Sequence, residues 1–126
     1  MSTPATPASP TTERRWREDL DLAHAIADQV DPVTRAHFER QDFEVQTKPD
    51  LTPVTDADRQ AERMIRESLS RARARDCVLG EELGQTGRSP RQWVIDPIDG
   101  TKNFVRGVPV WATLIGLVED GEVVVG

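Results

Sequence analysis

The sequence predicts an α+β fold, with N-terminal helices packed on a largely antiparallel sheet. Three observations predict it. Helical spacing of apolar residues fills the first part of the chain, and the period then changes to that of strands. The last two strands are joined by Asp120-Gly121, a tight-hairpin dipeptide that makes them antiparallel. A chain of 126 residues has room for one core, and no internal repeat divides it.

Residues 1–13, rich in Ser, Thr, Pro and Ala, read as a disordered tail, and residues 14–126 as the folded part. From Arg14 to Val30, Trp16, Leu20, Ala23, Ala27 and Val30 share one helical stripe, with Leu22 and Ile26 beside it. Asp31-Pro32 should kink or restart the helix, because Pro lacks the amide donor, and the apolar face continues to about Arg40. Phe43–Thr47 alternates like a short strand, and residues 48–53 read as a loop. Thr55 and Asp58 have the spacing of a capping box at the start of a second helix. Ala61, Met64, Ile65, Leu69 and Ala72 make its stripe, and Arg71, Arg73 and Arg75 suit a solvated C-terminal end. Strands follow at Cys77–Gly80, Gln92–Ile95, 110–118 and Glu122–Val125, with a loop over residues 84–90. The sequence closes on apolar residues 123–125 and Gly126 with no polar exit, so a longer parent is expected.

Composition narrows the function classes. The 22 acidic residues outnumber the 16 basic ones, for a formal charge of −6. That balance argues against a nucleic-acid or membrane surface, which calls for clustered Lys and Arg. No stretch approaches the roughly 20 apolar residues of a membrane span, and no signal-peptide pattern opens the chain. Cys77 is the only cysteine, so no disulfide forms within the chain, and it reads as a packed core thiol. A cytoplasmic protein is the expectation. His24 and His37 lie away from the acidic motifs and read as surface or packing residues, Trp93 and Trp111 as core, and Lys48 as solvated.

Three groups of carboxylates carry the chemistry: Asp56 and Asp58, Glu81 and Glu82, and Asp96 and Asp99. Each has an ordinary reading on its own. Thr55 with Asp58 is a cap, Glu81-Glu82 a solvated loop, and Asp-Pro and Asp-Gly are common turns. Together, at strand and helix ends of one short chain, they point to a cation site. In Asp96-Pro97-Ile98-Asp99-Gly100-Thr101, a strand delivers Asp96, Pro97 stiffens the turn and Gly100 permits it. Asp96, Asp99 and the Ile98 carbonyl can then face one point. Hard divalent cations such as Mg2+ take an all-oxygen shell of this kind at about 2.0–2.1 Å, and no His or Cys set stands nearby to favour zinc. Bunched carboxylates repel one another, and a cation resolves the conflict. Amides at Gly100 and Thr101, entering a helical turn, suit an anion. With cations between, an acidic protein can hold a phosphate.

Three segments resemble the inositol monophosphatase family: Asp50-Leu51-Thr52-Pro53-Val54-Thr55-Asp56-Ala57-Asp58, Gly80-Glu81-Glu82, and Asp96-Pro97-Ile98-Asp99-Gly100-Thr101-Lys102-Asn103-Phe104. The resemblance covers residues from about 18 to 126. It implies the N-terminal half of an αβαβα sandwich and a Mg2+-dependent phosphomonoesterase working by direct attack of water. It also implies roles. Glu81, Asp96 and the Ile98 carbonyl hold a first Mg2+, Asp96 and Asp99 share a second, and Glu81 lies near a third, weaker position. Thr101 and Asp58 orient and deprotonate the attacking water, Gly100 and Thr101 amides hold phosphate oxygens, and Glu82 supports its neighbour. The run Lys102-Asn103-Phe104-Val105-Arg106-Gly107-Val108-Pro109 is similar to the histidinol-phosphatase branch, whereas inositol phosphatases carry His where Arg106 stands. The implied partner is a small phosphorylated metabolite, L-histidinol phosphate first, with inositol-1-phosphate and a nucleotide 3′-phosphate as rivals. Full-length relatives imply a homodimer. A further ligand Asp and most substrate contacts belong to the family's second half, so a non-catalytic fragment is the alternative of another class.

Overall fold

The computed structural model describes residues 6–126. Residues 1–5 of the expected tail lie outside the described residues, and residues 10–13 are helical rather than tail. Helix α1, Pro10–Arg40, starts where Ser9 accepts the Thr12 amide at 3.1 Å and Pro10 occupies a position whose amide has no helical partner. Pro32 neither ends nor restarts it. Thr34 Oγ1 donates to the Asp31 carbonyl at 3.1 Å, and the carbonyl that Pro32 leaves free belongs to solvent-exposed Asp28. The buried line of α1 is Asp19, Ala23, Ile26, Val30 and Thr34. It is rotated one residue from the expected stripe, so Leu20 is 36% exposed and Asp19 fully buried.

Strands β1 (Val45–Thr47) and β2 (Pro53–Thr55) form an antiparallel hairpin that runs into α2, Asp56–Ala72. The expected first strand is thus shorter, and the end of the expected loop belongs to β2. The remaining elements are β3 (Cys77–Gly80), β4 (Gly84–Thr86), β5 (Arg91–Asp99), α3 (Thr101–Val105), β6 (Ala112–Glu119) and β7 (Glu122–Val125). Strand β4 replaces the start of the expected 84–90 loop, because pairing with β3 defines it rather than its own apolar pattern. The main sheet has the order β4-β3-β5-β6-β7, with β3 and β5 parallel and every other pair antiparallel.

Both long helices pack on one face of this sheet. Ile26 and Val30 of α1 and Ala61, Ile65 and Leu69 of α2 meet Val78, Trp93, Ile95 and Leu117. Strand alternation sends Leu79, Val94 and Leu114 to the opposite face, and the register shift between Leu117 and Val118 turns Val123 there too; all are exposed, and Val123 reaches 75%. Cys77 and Trp93 are core residues, as the sequence predicts.

An ion network closes the end of the sheet where β5 begins. Arg91 Nη2 donates to both oxygens of Asp19 at 3.0 Å, Nε to Asp76 Oδ1 at 3.1 Å and Nη1 to Glu119 Oε1 at 3.1 Å. Arg73 Nε adds a bond to Asp19 at 2.9 Å, so this arginine is engaged rather than solvated. Trp93 Nε1 meets Asp76 and Trp16 Nε1 meets Glu119. The network fastens α1, the end of α2, β5 and β6 together and leaves the opposite end of β5 to carry the acidic turn.

Candidate active site

Asp58 sits in the first turn of α2 and is 1% exposed. The capping box is complete. The Asp58 amide donates to Thr55 Oγ1 at 3.2 Å, and Asp58 Oδ2 accepts the Thr55 amide at 2.9 Å. The cap occupies Oδ2 and turns Oδ1 towards α3, where it accepts the Thr101 hydroxyl at 3.1 Å. The Ile98 carbonyl lies 3.1 Å from the same hydroxyl.

The turn from β5 into α3 is held from several sides. Gly100 has φ of +92°, a conformation that a side chain disfavours, and a Cβ there would stand 3.0 Å from the Val110 carbonyl. Thr113 Oγ1 donates to the Pro97 carbonyl at 2.8 Å, and Asn103 Nδ2 to the Val110 carbonyl at 2.9 Å. Beneath the turn, Ile98 and Phe104 are buried, and Phe104 packs against Phe43 and Trp111 with ring centres 5.0 Å apart in each case. Arg106 lies exposed at the end of α3.

Parallel pairing of β3 with β5 sets Gly80 opposite Ile95, so Glu81 leaves its strand beside Asp96. The Glu81 amide donates to the Ile95 carbonyl at 3.3 Å. Lys48 Nζ lies 3.6 Å from Glu82 and 3.8 Å from Glu81, so Lys48 is bound to the acidic group and not solvated. Burial, then the charges of Glu81, Asp99 and Asp58, push the Asp96 carboxyl up to about 6. Burial first raises the Glu82 carboxyl too, with Lys48 opposing and Asp58, Glu62 and Glu81 adding to the rise. The donor set is all oxygen and short of positive charge, which is the chemistry a hard divalent cation satisfies.

The predicted residues are not all gathered. Asp58, Thr101 and the Ile98 carbonyl are joined by hydrogen bonds, and Glu81 and Asp96 are neighbours. Among the described residues, however, no group of three or more His, Cys, Asp or Glu side chains forms a ready cation shell. The physical reason is visible at Glu81, whose side chain is 57% exposed and turned to Lys48, and at Asp99, which is exposed. Sequence reasoning also passed over Glu62, a fully buried carboxylate four residues beyond Asp58. Its position on the buried stripe between Ala61 and Ile65 was the available signal.

Residues 15–126 match the inositol monophosphatase family, so the fold and the site define a member of that class. This chain belongs to the inositol monophosphatase family. Histidinol-phosphatase of Streptomyces coelicolor is 62% identical over 107 residues, which cover 85% of this chain and 40% of the relative. Histidinol-phosphatase of Mycobacterium tuberculosis is 60% identical over 110 residues, covering 86% and 42%. Among solved structures, the Thermotoga maritima IMPase superposes with a TM-score of 0.77 at 36% identity, covering 84% of this chain and 41% of that one. The chain therefore spans about two fifths of the length of the relatives it matches. Among the described residues, no helix is long and apolar enough to cross a membrane.

Proposed function

We propose that this chain carries the cation- and phosphate-binding part of a Mg2+-dependent phosphomonoesterase that converts L-histidinol phosphate and water to L-histidinol and phosphate. The observation that carries the chemistry is the bond from the Thr101 hydroxyl to Asp58 beside the crowded carboxylates of Glu81, Asp96 and Asp99. The two relatives named histidinol-phosphatase support the substrate, since both are more similar than the inositol-1-monophosphatase of Rhizobium meliloti, which is 42% identical over 96 residues.

Glu81, Asp96, the Ile98 carbonyl and Asp99 would hold the cation. Bound Mg2+ supplies charge neutralisation to the phosphate oxygens and acidity to water. Because Asp58 accepts the Thr101 proton, the hydroxyl oxygen of Thr101 keeps a lone pair for a proton of the attacking water. That proton passes to Thr101 as its own moves to Asp58. The water oxygen bonds to phosphorus, the ester P–O bond breaks with its electron pair on the substrate's alcohol oxygen, and that oxygen takes a proton from solvent, to which Asp58 returns the one it gained. Gly100 and Thr101 amides are proposed to hold phosphate oxygens at the entry to α3. A cytoplasmic location and a homodimer of the longer protein belong to the same reading.

The test is phosphate release from L-histidinol phosphate and from inositol-1-phosphate, with and without Mg2+, by this chain and by a form extended to the length of its relatives. Mg2+-dependent release, faster with histidinol phosphate, is expected of the extended form. No release by either form while folded overturns the reading. The short coverage of the relatives favours a second outcome for this chain alone, in which it binds Mg2+ and turns over nothing.

A further inference from the structure

We propose that Glu62 is a positioning residue that fixes Glu81 and Glu82 through the backbone of their turn; the proposal rests on the cation site inferred above. Glu62 lies on the buried stripe of α2 and is 0% exposed. A carboxylate there is costly unless it is fully bonded. Its Oε1 accepts the Glu82 amide at 2.9 Å, and its Oε2 accepts the Leu83 amide at 2.6 Å and Arg66 Nε at 3.3 Å. Both carboxylate oxygens are therefore spent on the turn that follows Glu81.

Arg66 extends the grip to the far side of the same turn. Its Nη1 donates to Thr86 Oγ1 at 2.7 Å and its Nη2 to the Gly84 carbonyl. One helical turn of α2 thus holds the β3–β4 connection from both ends, by charge-assisted bonds that are stronger than neutral ones. Gly80 makes the approach possible. A Cβ at that position would stand 2.4 Å from Glu62 Oε1 and 2.5 Å from its carboxyl carbon. The glycine of the Gly80-Glu81-Glu82 segment thus leaves room for the carboxylate behind it, which a side chain there would displace.

The consequence falls on Glu81. Its own amide is held by the Ile95 carbonyl, and the next two amides are held by Glu62, so the start of its side chain is fixed relative to Asp96. Its carboxylate remains free to swing between Lys48 and a cation. If Glu62 served only the stability of the turn, its loss would lower stability without weakening cation binding by the protein that remains folded.

The experiment measures the Mg2+ dissociation constant by calorimetry on the whole chain, with folding checked by circular dichroism, and amide hydrogen exchange at Glu82 and Leu83. Glu62→Gln is expected to weaken Mg2+ binding about 10–100-fold, the range for residues that orient a ligand, and to speed exchange at both amides. Leu69→Ala, a core change on the same helix, should lower the melting temperature and leave the dissociation constant alone. If Glu62→Gln does not fold, Gly80→Ala carries the test, since it displaces the carboxylate without removing it. Unchanged Mg2+ affinity in a folded Glu62→Gln or Gly80→Ala chain overturns the positioning role when Asp96→Asn still weakens binding. Unchanged affinity in Asp96→Asn, or no Mg2+ binding by the unsubstituted chain, overturns the cation site itself.

Discussion

The Thr101 hydroxyl reaches Asp58 Oδ1 at 3.1 Å across 43 residues of sequence, and this bond joins the first turn of α3 to the first turn of α2. Thr101→Ala removes the donor and leaves a buried carboxylate oxygen without a partner, at a cost of about 1–3 kcal/mol. The variant should therefore melt earlier and keep most of its Mg2+ affinity. In the extended form, under the hydrolysis proposed above, it should lose about 10²–10⁴-fold in kcat. Thr101→Ser should restore both. A Thr101→Ala enzyme with wild-type kcat would remove Thr101 from the chemistry.

Asp96 stands among like charges, so its substitution should have opposite effects with and without cation. In Mg2+-free buffer, Asp96→Asn removes repulsion from Glu81, Asp99 and Asp58 and should be at least as stable as the parent. With Mg2+ at about 100 times its dissociation constant, the parent should gain about 2.7 kcal/mol and the variant nothing. Thermal melts in EDTA and in Mg2+ make the comparison. Equal Mg2+ stabilisation of both would refute the assignment.

Glu119 makes the fold sensitive to acid. Burial alone would raise its carboxyl, but hydrogen bonds from Trp16 and Arg91 and the charges of Arg15 and Arg91 outweigh burial and hold it below the ordinary 4.5. A depressed folded value means that the unfolded chain takes up the proton first. The stabilisation is complete above pH 4.5 and is lost as pH falls through the lower folded value. The urea midpoint of the parent should exceed that of Glu119→Gln at about pH 7, and the gap should narrow as pH falls below 4.5. A gap independent of pH would contradict the ion-pair account.

Asp19 holds two arginines while fully buried. Asp19→Ala leaves the Arg91 guanidinium under-compensated at the junction of α1, α2 and β5, and should cost about 3–5 kcal/mol in stability. Double substitution with Arg91→Met should lose less than the two single losses added together, because the Asp19–Arg91 bonds can be broken only once. Urea unfolding of the single and double variants decides it, and strictly additive losses would argue against coupling.

What was legible in the sequence was local. The Thr55–Asp58 cap and the Asp120-Gly121 turn depend on residues within three positions of one another, and both stand in the structure as read. The Gly100 turn into α3 was legible for the same reason, whereas the strand expected to stop at Ile95 runs on to Asp99, because Asp99 pairs with Ala112 across a register shift. Asp19, Lys48 and Glu62 were not, because their partners lie across the fold: Arg73 and Arg91, Glu81 and Glu82, and the amides of the β3–β4 turn. Periodicity reads a stripe by hydrophobicity, so it assigned Leu20 to the core and passed over Asp19, whose burial only its arginines explain. Pro32 shows the converse. A rule about one residue predicted a break, and the packing of Ile26, Val30 and Thr34 on both sides kept the helix whole.

One carboxylate of the site also caps a helix, and that has a bearing on how the gene tolerates change. At Glu81, where the side chain is largely in solvent, most replacements should leave the amount of folded protein intact while silencing the site. At Asp58 the two cannot be separated, because one oxygen caps the start of α2 and the other faces Thr101. A saturation library scored once for cellular abundance and once for turnover should lose position 58 in both screens and position 81 only in the second.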